Sequence, residues 1–127
     1  MITEGYMLKI LDILALLFYC AIIFWLSHQP SLPLPMLFEF QDKLHHFTAY
    51  FLMGVLAWRT GRHFVKSPFT LAIVSVVFCS LYGISDEWHQ SFVEGRTADA
   101  WDWVSDTIGA SAALLVLTRF YSVQKLN

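Results

Sequence analysis

Most ionisable residues of this chain lie at the ends of four strongly apolar segments, and this placement limits the folds open to it. Three polar strings, at residues 42–46, 85–90 and 95–102, run directly into hydrocarbon-length stretches. Charged residues make up 14 % of the chain and hydrophobic ones 57 %, whereas a soluble domain is about 25 % charged. Because charge within or beside a membrane span is costly, the pattern predicts a small membrane protein whose polar residues act at one face of the bilayer.

The apolar segments predict an all-α membrane protein, a bundle of four transmembrane helices in a single domain. The domain covers residues 1–127, and its spans are expected at about 7–26, 43–59, 68–87 and 101–118. A span needs roughly 20 apolar residues, or about 17 with flanking turns. The second segment is short and carries two histidines, but Lys43 and Arg59 bracket it, so we interpret it as a span. Asp12 is a charge within the first span, and it is expected to pair with Lys9.

The distribution of basic residues predicts the orientation of the spans. Four spans place both termini and the middle loop on one side, which holds six of the eight Lys and Arg residues, namely Lys9, Arg59, Arg62, Lys66, Arg119 and Lys125. Only Lys43 and Arg96 fall on the other side. Cytoplasmic loops are enriched in Lys and Arg, so both termini are expected in the cytoplasm and the polar strings outside. No basic patch suits nucleic acid, which is therefore excluded as a partner, and the oligomeric state is left open.

Helical periodicity predicts that the polar residues of three segments face one another. In the second segment, one face comprises Asp42, His46 and Tyr50, with Lys43 at its edge. In the third segment, Asp86 and Gln90 share a face, and in the fourth the face comprises Asp99, Asp102 and Asp106. Ser105, Gly109 and Ala113 lie on the last face, and small residues at this spacing let helices approach closely. We therefore expect these side chains to point at neighbouring helices and to form one external pocket.

The order and spacing of these residues resemble the VanZ-like family. The resemblance covers about residues 42–109, in the strings Asp42-Lys43-x-x-His46-Phe47-x-x-Tyr50, Asp86-Glu87-x-x-Gln90-x-Phe92-x-x-Gly95-Arg96 and Asp102-x-x-x-Asp106-Thr107-x-Gly109. It implies a small multi-pass bacterial protein of the cell membrane, and the family's founding member gives low-level teicoplanin resistance. Two residues depart from the family pattern. Glu94 stands where Pro usually precedes Gly-Arg, and Asp106 stands where Asn is common, which adds a titratable group.

Four residues are candidates for catalysis, and six more for binding. The catalytic candidates are Asp42, His46, Asp86 and Glu87; the binding candidates are Lys43, Tyr50, Gln90, Arg96, Asp102 and Asp106. His46 could act as an imidazole base oriented by a carboxylate. The alternative is a hydrogen-bond network that only fixes two helices.

The cofactor is left open by the sequence. A divalent metal is one possibility, because carboxylates and imidazole suit zinc, iron or manganese, and its ligands could come from Asp42, His46, Asp86, Glu87, Asp102 and Asp106. Lys43 and Arg96 could equally neutralise the acids without a metal. Arg96 beside Gly95 could bind a phosphate, to which a guanidinium fork is well matched. The alternative is a salt bridge from Arg96 to Asp99 or Glu87.

Three classes of function fit the pattern. The first is a membrane enzyme that acts at a phosphate or acyl centre in the head group of an amphiphile. The second is a binder that captures or shields a lipid-linked envelope component or a lipophilic drug. The third is a helix-packing network that serves a partner protein. The polar pocket favours a head-group site for a membrane lipid or lipid-linked amphiphile at the extracytoplasmic face, and the choice between catalysis and binding stays open.

Overall fold

The computed structural model describes residues 3–31 and 34–124, with side chains to residue 121. Within these ranges the chain forms four α-helices and no strand. The helices are α1 (Glu4–Ser27), α2 (Gln41–Gly61), α3 (Pro68–Gln90) and α4 (Ala100–Gln124). The all-α fold is confirmed, and each predicted span lies within one helix. Lys125, which contributed to the predicted orientation, lies outside the described residues.

The closest helix packing in the bundle joins α2 to α4. A Cβ atom added at Gly109 would lie 2.2 Å from the carbonyl oxygen of Phe47, and one at Gly54 would lie 3.2 Å from the Cβ atom of Ala113. Two helices can approach this closely only where side chains are absent or small. The small-residue face predicted at Gly109 and Ala113 is therefore confirmed as a helix interface.

The first helix is attached to α2 and α3 and makes no packing contact with α4 within the described residues. Two tyrosines bridge these helices by donating to backbone carbonyl oxygens. Tyr19 on α1 donates to Ala49 at 2.6 Å, and Tyr82 on α3 donates to Cys20 at 2.5 Å. A cluster of buried side chains fills the space between the helices: Leu16, Ile23, Tyr50, Met53, Ala57, Cys79 and Ala110.

A buried carboxylate links α1 to the C-terminal end of α2. Asp12 lies 2.8 Å from Arg59 Nη2 and 2.8 Å from His63 Nε2. The predicted pairing of Asp12 with Lys9 is wrong, because Asp12 contacts Arg59 in the last turn of α2 and His63 just after that helix. The Lys9 ammonium instead lies 4.1 Å from the centre of the Phe64 ring, a cation–π arrangement.

The outward surfaces of the bundle are apolar. Leu17 and Phe18 on α1 are 61 % and 69 % exposed, and Leu81 on α3 is 61 % exposed. By length and composition α1 and α3 could each cross a membrane. These two helices are weak evidence for membrane association, since a buried core helix or a signal sequence can have the same length and composition.

Candidate functional site

The predicted site residues lie at one end of the bundle, where α2 and α4 begin and α3 ends. Asp42, Lys43 and His46 are in the first turns of α2, with Tyr50 one turn deeper. Asp86, Glu87 and Gln90 end α3; Arg96 is in the loop that follows; and Asp102 and Asp106 begin α4. Tyr50, Asp86, Glu87, Gln90, Asp102 and Asp106 are buried, so the expectation that both α4 aspartates face neighbouring helices is confirmed.

Lys43 is surrounded by carboxylates from two parts of the chain. Its ammonium contacts Asp99 Oδ2 at 2.8 Å and Asp42 Oδ2 at 3.5 Å, and it also contacts Asp102 Oδ1. The hydrogen bond from Lys43 lowers the pKa of the Asp99 carboxyl below its ordinary value. Lys43 therefore neutralises acids, which was one of the alternatives open from the sequence.

Asp99 was not among the predicted site residues, yet it connects several of them. It was expected on the α4 face, but it lies just before that helix, where its Oδ1 accepts a hydrogen bond from the Trp101 backbone N at 2.9 Å. Aspartate is favoured at this capping position, since the first amides of a helix lack helical partners. The Asp99 backbone N donates to Glu87 Oε2 at 2.9 Å. The sequence signal for this capping role was an aspartate directly before an apolar helical segment.

His46 is oriented by a carboxylate from another helix. Its Nδ1 lies 2.8 Å from Asp106 Oδ1, whereas its Nε2 lies 3.6 Å from Asp102 Oδ2 and 4.0 Å from Asp42 Oδ1. A carboxylate accepts, so Nδ1 is the donor to Asp106. Asp42, on the same face of α2, was the expected partner, but its side chain is 57 % exposed. Asp106 is fully buried and reaches His46 across the close α2–α4 packing.

Arg96 is held by neutral acceptors. Its Nη1 donates to the carbonyl oxygen of Gln29 at 3.1 Å, and its Nη2 donates to Gln90 Oε1 at 3.1 Å. Among the described residues, no Asp or Glu forms an ion pair with Arg96. The alternative of a salt bridge to Asp99 or Glu87 is therefore not realised, and the guanidinium charge has no carboxylate counterpart.

Gln90 connects Arg96 to the buried part of the site. Its Nε2 donates to Asp86 Oδ2 at 3.2 Å and to Ser27 Oγ at 3.4 Å. The first contact confirms that Asp86 and Gln90 face the same way, one helical turn apart. Ser27 belongs to α1, so this helix also contributes to the site, which the sequence did not indicate.

Two neighbouring cavities open at this end of the bundle. The larger has a volume of about 450 Å³ and is lined by residues that include Asp42, Gln90, Arg96 and Asp102. The smaller, of about 110 Å³, is lined by residues that include His46, Tyr50 and Asp86. Asp42, His45, Gln90 and Arg96 line both cavities. The three helices thus bring their polar residues to one end of the bundle, but the single pocket expected from the sequence is divided, because His46 and Asp86 line only the smaller cavity and Asp102 lines only the larger one.

Two sets of side chains could hold a metal ion. One comprises Asp42, His46 and Asp102, and the other comprises His46, Glu87 and Asp106; in each, one ligand atom per residue lies within 4.8 Å of the others. Asp86, also expected as a ligand, is in neither set. Lys43 already contacts both carboxylates of the first set.

Comparison with known proteins identifies relatives of the chain. The model of the VanZ/LLP1 family matches residues 12–121. An uncharacterized protein of Schizosaccharomyces pombe is 31 % identical over 104 residues, which are 81 % of this chain and 59 % of that protein. This chain thus spans less than two thirds of its relative's length. No solved structure matches it. The match over most of the described helices shows that the chain belongs to the VanZ/LLP1 family.

Proposed function

We propose that this protein crosses the cell membrane four times, with cytoplasmic termini, and that its polar end binds the anionic head group of an envelope lipid or lipid-linked amphiphile on the extracytoplasmic side. The proposal rests mainly on the surroundings of Arg96. Its guanidinium lines the larger cavity and pairs with no described carboxylate. A guanidinium suits the planar, bidentate recognition of phosphate or carboxylate oxygens. The cavity therefore offers an anion a charge that no internal ion pair has neutralised.

The surface of the bundle supports a membrane location. Large apolar side chains such as Phe18 and Leu115 face outwards, 69 % and 73 % exposed. In a soluble monomer, apolar exposure on this scale is unusual. The described basic residues Arg59, Arg62 and Lys66 lie at the bundle end opposite these two cavities. Cytoplasmic loops are enriched in Lys and Arg, which supports the proposal that this end faces the cytoplasm.

An exposed apolar loop beside the cavity suits the lipid part of such a ligand. Leu34, Met36, Leu37, Phe38 and Phe40 are 51–77 % exposed, and Leu34 and Met36 also line the larger cavity. Ligand pockets often combine apolar walls with a few polar groups that orient the ligand. An amphiphile could place its head group at Arg96 and its chain along this loop.

Processing of the head group is a second candidate function, and the His46–Asp106 contact favours it. Because Nδ1 of His46 donates to Asp106, Nε2 is the ring nitrogen that could accept a proton from a substrate. It lies on the side of the ring that faces Asp42 and Asp102. A histidine held in this way is a common general base. A non-catalytic helix-packing role for a partner protein is the remaining alternative.

The direct test measures anion binding by the purified full chain in detergent micelles. We expect Arg96→Gln to weaken binding of short-chain phosphatidic acid at least tenfold, and Arg119→Gln, an exposed change at the opposite end of the bundle, to have no effect. Short-chain phosphatidylcholine and inorganic phosphate separate a preference for anionic lipid from simple phosphate binding. Equal affinity of Arg96→Gln and wild type would reject the head-group proposal.

A cellular test addresses the envelope role suggested by family membership. We expect expression of the protein to raise the teicoplanin concentration that a Gram-positive host survives, and Arg96→Gln to remove this protection at unchanged membrane yield. If His46→Gln binds phosphatidic acid normally but gives no protection, processing is favoured over binding. If both variants lose yield and melting temperature together, the packing role is favoured.

The orientation is tested by labelling single cysteines in a background that lacks Cys20 and Cys79. A membrane-impermeant maleimide added outside should modify Glu94→Cys and leave Lys66→Cys unmodified. Both positions are exposed, so the membrane alone decides access. The opposite pattern would contradict an extracytoplasmic site.

A further inference from the structure

Two buried carboxylate oxygens near His46 have no hydrogen-bond partner. They are Glu87 Oε1 and Asp106 Oδ2, and these two residues are 7 % and 0 % exposed. Nearly all buried polar atoms in proteins are satisfied, and each exception calls for an explanation such as a bound ion. A buried carboxylate oxygen without a donor is also costly. These two unsatisfied oxygens therefore point to a bound cation.

Each of these carboxylates is anchored through its other oxygen. Glu87 Oε2 accepts from the backbone N of Asp99 at 2.9 Å, and Asp106 Oδ1 accepts from His46 Nδ1 at 2.8 Å. The arrangement fixes each carboxylate and leaves one oxygen of each available. Glu87 is thus held by a group outside the proposed ligand set, as metal-binding carboxylates typically are, whereas Asp106 is held by His46, which is itself a proposed ligand.

The spacing and the charge of the group both fit a divalent ion. One potential ligand atom each from His46, Glu87 and Asp106 lies within 4.8 Å of the others. Lys43 pairs with other acids, so two carboxylates and a neutral imidazole leave a charge that one divalent ion balances.

We propose that His46, Glu87 and Asp106 bind one divalent transition-metal ion of the manganese, iron or zinc class between α2, α3 and α4. Imidazole nitrogen with carboxylate oxygen is the ligand set that these ions share. The set of Asp42, His46 and Asp102 is less suitable, because Lys43 already contacts both of its carboxylates. This site stands independently of the head-group proposal, since the ion needs no lipid to bind.

The experiment titrates Mn²⁺ into the chelator-stripped full chain in detergent micelles, followed by electron paramagnetic resonance. We expect one ion per chain, with at least tenfold weaker binding in Glu87→Gln and Asp106→Asn. Glu94→Gln, an exposed carboxylate change in the nearby loop, is the matched control and should bind as wild type does. Asp42→Asn should also retain Mn²⁺ binding, because Asp42 belongs only to the alternative ligand set of Asp42, His46 and Asp102.

The wild-type protein alone can overturn the proposal, so the test does not depend on variants that might unfold. Spin-echo modulation from an imidazole nitrogen should accompany bound Mn²⁺, and its absence would contradict coordination by His46. Failure to bind one ion, loss of binding in Asp42→Asn, or retention in Glu87→Gln would reject this ligand set. Failure of phosphatidic acid binding would leave all these results unchanged and would reject only the head-group proposal.

Discussion

Gly109→Ala should disrupt both the packing of the bundle and the geometry of the candidate site. The added Cβ would lie 2.2 Å from the Phe47 carbonyl oxygen, whereas contacts of Cβ atoms under 3.0 Å essentially do not occur. Raising this distance from 2.2 Å to 3.0 Å moves α2 and α4 apart by about 0.8 Å, and the close atoms are backbone atoms that cannot rotate away. Overpacking of this kind costs about 1–3 kcal/mol.

The same movement affects the site, because Phe47 follows His46 and Gly109 lies one turn after Asp106. If His46 and Asp106 separate by the same amount, their distance of 2.8 Å becomes about 3.6 Å, which is too long for a hydrogen bond. Losing a hydrogen bond to a charged group costs about 1.5–3 kcal/mol. We therefore expect Gly109→Ala to be strongly destabilising and to impair any function that requires this pair.

Two other glycines provide graded controls for unfolding by heat or by added SDS in micelles. A Cβ at Gly54 would approach its neighbours to 3.2 Å, and one at Gly5 would have no neighbour within 4 Å. Gly54→Ala should therefore cost less than Gly109→Ala, and Gly5→Ala should be neutral or stabilising by up to about 1 kcal/mol, because alanine favours helix. If Gly109→Ala melts like Gly5→Ala, the close helix approach and the argument built on it are wrong.

Three further predictions concern the ion pairs at the two ends of the bundle. Asp12→Asn should destabilise the protein by about 1–3 kcal/mol, because it weakens charged hydrogen bonds between α1 and α2; an unchanged melting temperature would contradict this. A double-mutant cycle of Lys43→Met and Asp102→Asn should show a coupling of about 0.5–3 kcal/mol, and additive effects would count against a direct pair. The lowered pKa of Asp99 stabilises the fold above its unfolded pKa, and this contribution disappears as pH falls through the folded pKa. In an NMR titration, Lys43→Met should move the Asp99 midpoint upwards, and an unchanged midpoint would refute the link.

The four helices were predictable because their signals are local. Apolar length marks α1, α3 and α4, whereas the short second segment was assigned from the basic residues that bracket it. The periodicity of α4 correctly placed Gly109 and Ala113 at an interface. The role of Asp99 was less accessible, since it lies before α4 as its cap rather than on the helical face where it was expected. A single capping side chain can stop a helical pattern that periodicity alone would extend by a turn.

The partners across helices were not predictable from the same signals. His46 was matched with Asp42 because both lie on one face of α2, but the closest carboxylate is Asp106. That pairing depends on how closely α2 approaches α4, which is a property of their packing and not of either helix alone. Asp12 is a similar case, because its contact with Arg59 depends on the placement of α1 against α2.

The two cations at the polar end have different surroundings, and this difference supports assigning them different roles. An anion approaching Lys43 would have to compete with three carboxylates that already contact its ammonium. An anion approaching Arg96 would compete only with a backbone carbonyl and the Gln90 amide oxygen, and hydrogen bonds between ionised groups are roughly twice as strong as those between neutral ones. At Arg96, a phosphate oxygen would therefore replace a neutral acceptor and form a stronger hydrogen bond. At Lys43, a phosphate oxygen would displace a carboxylate and leave that carboxylate without a partner. Arg96 is accordingly the position that we propose for a head group, whereas Lys43 holds the acidic ends of α2 and α4 together.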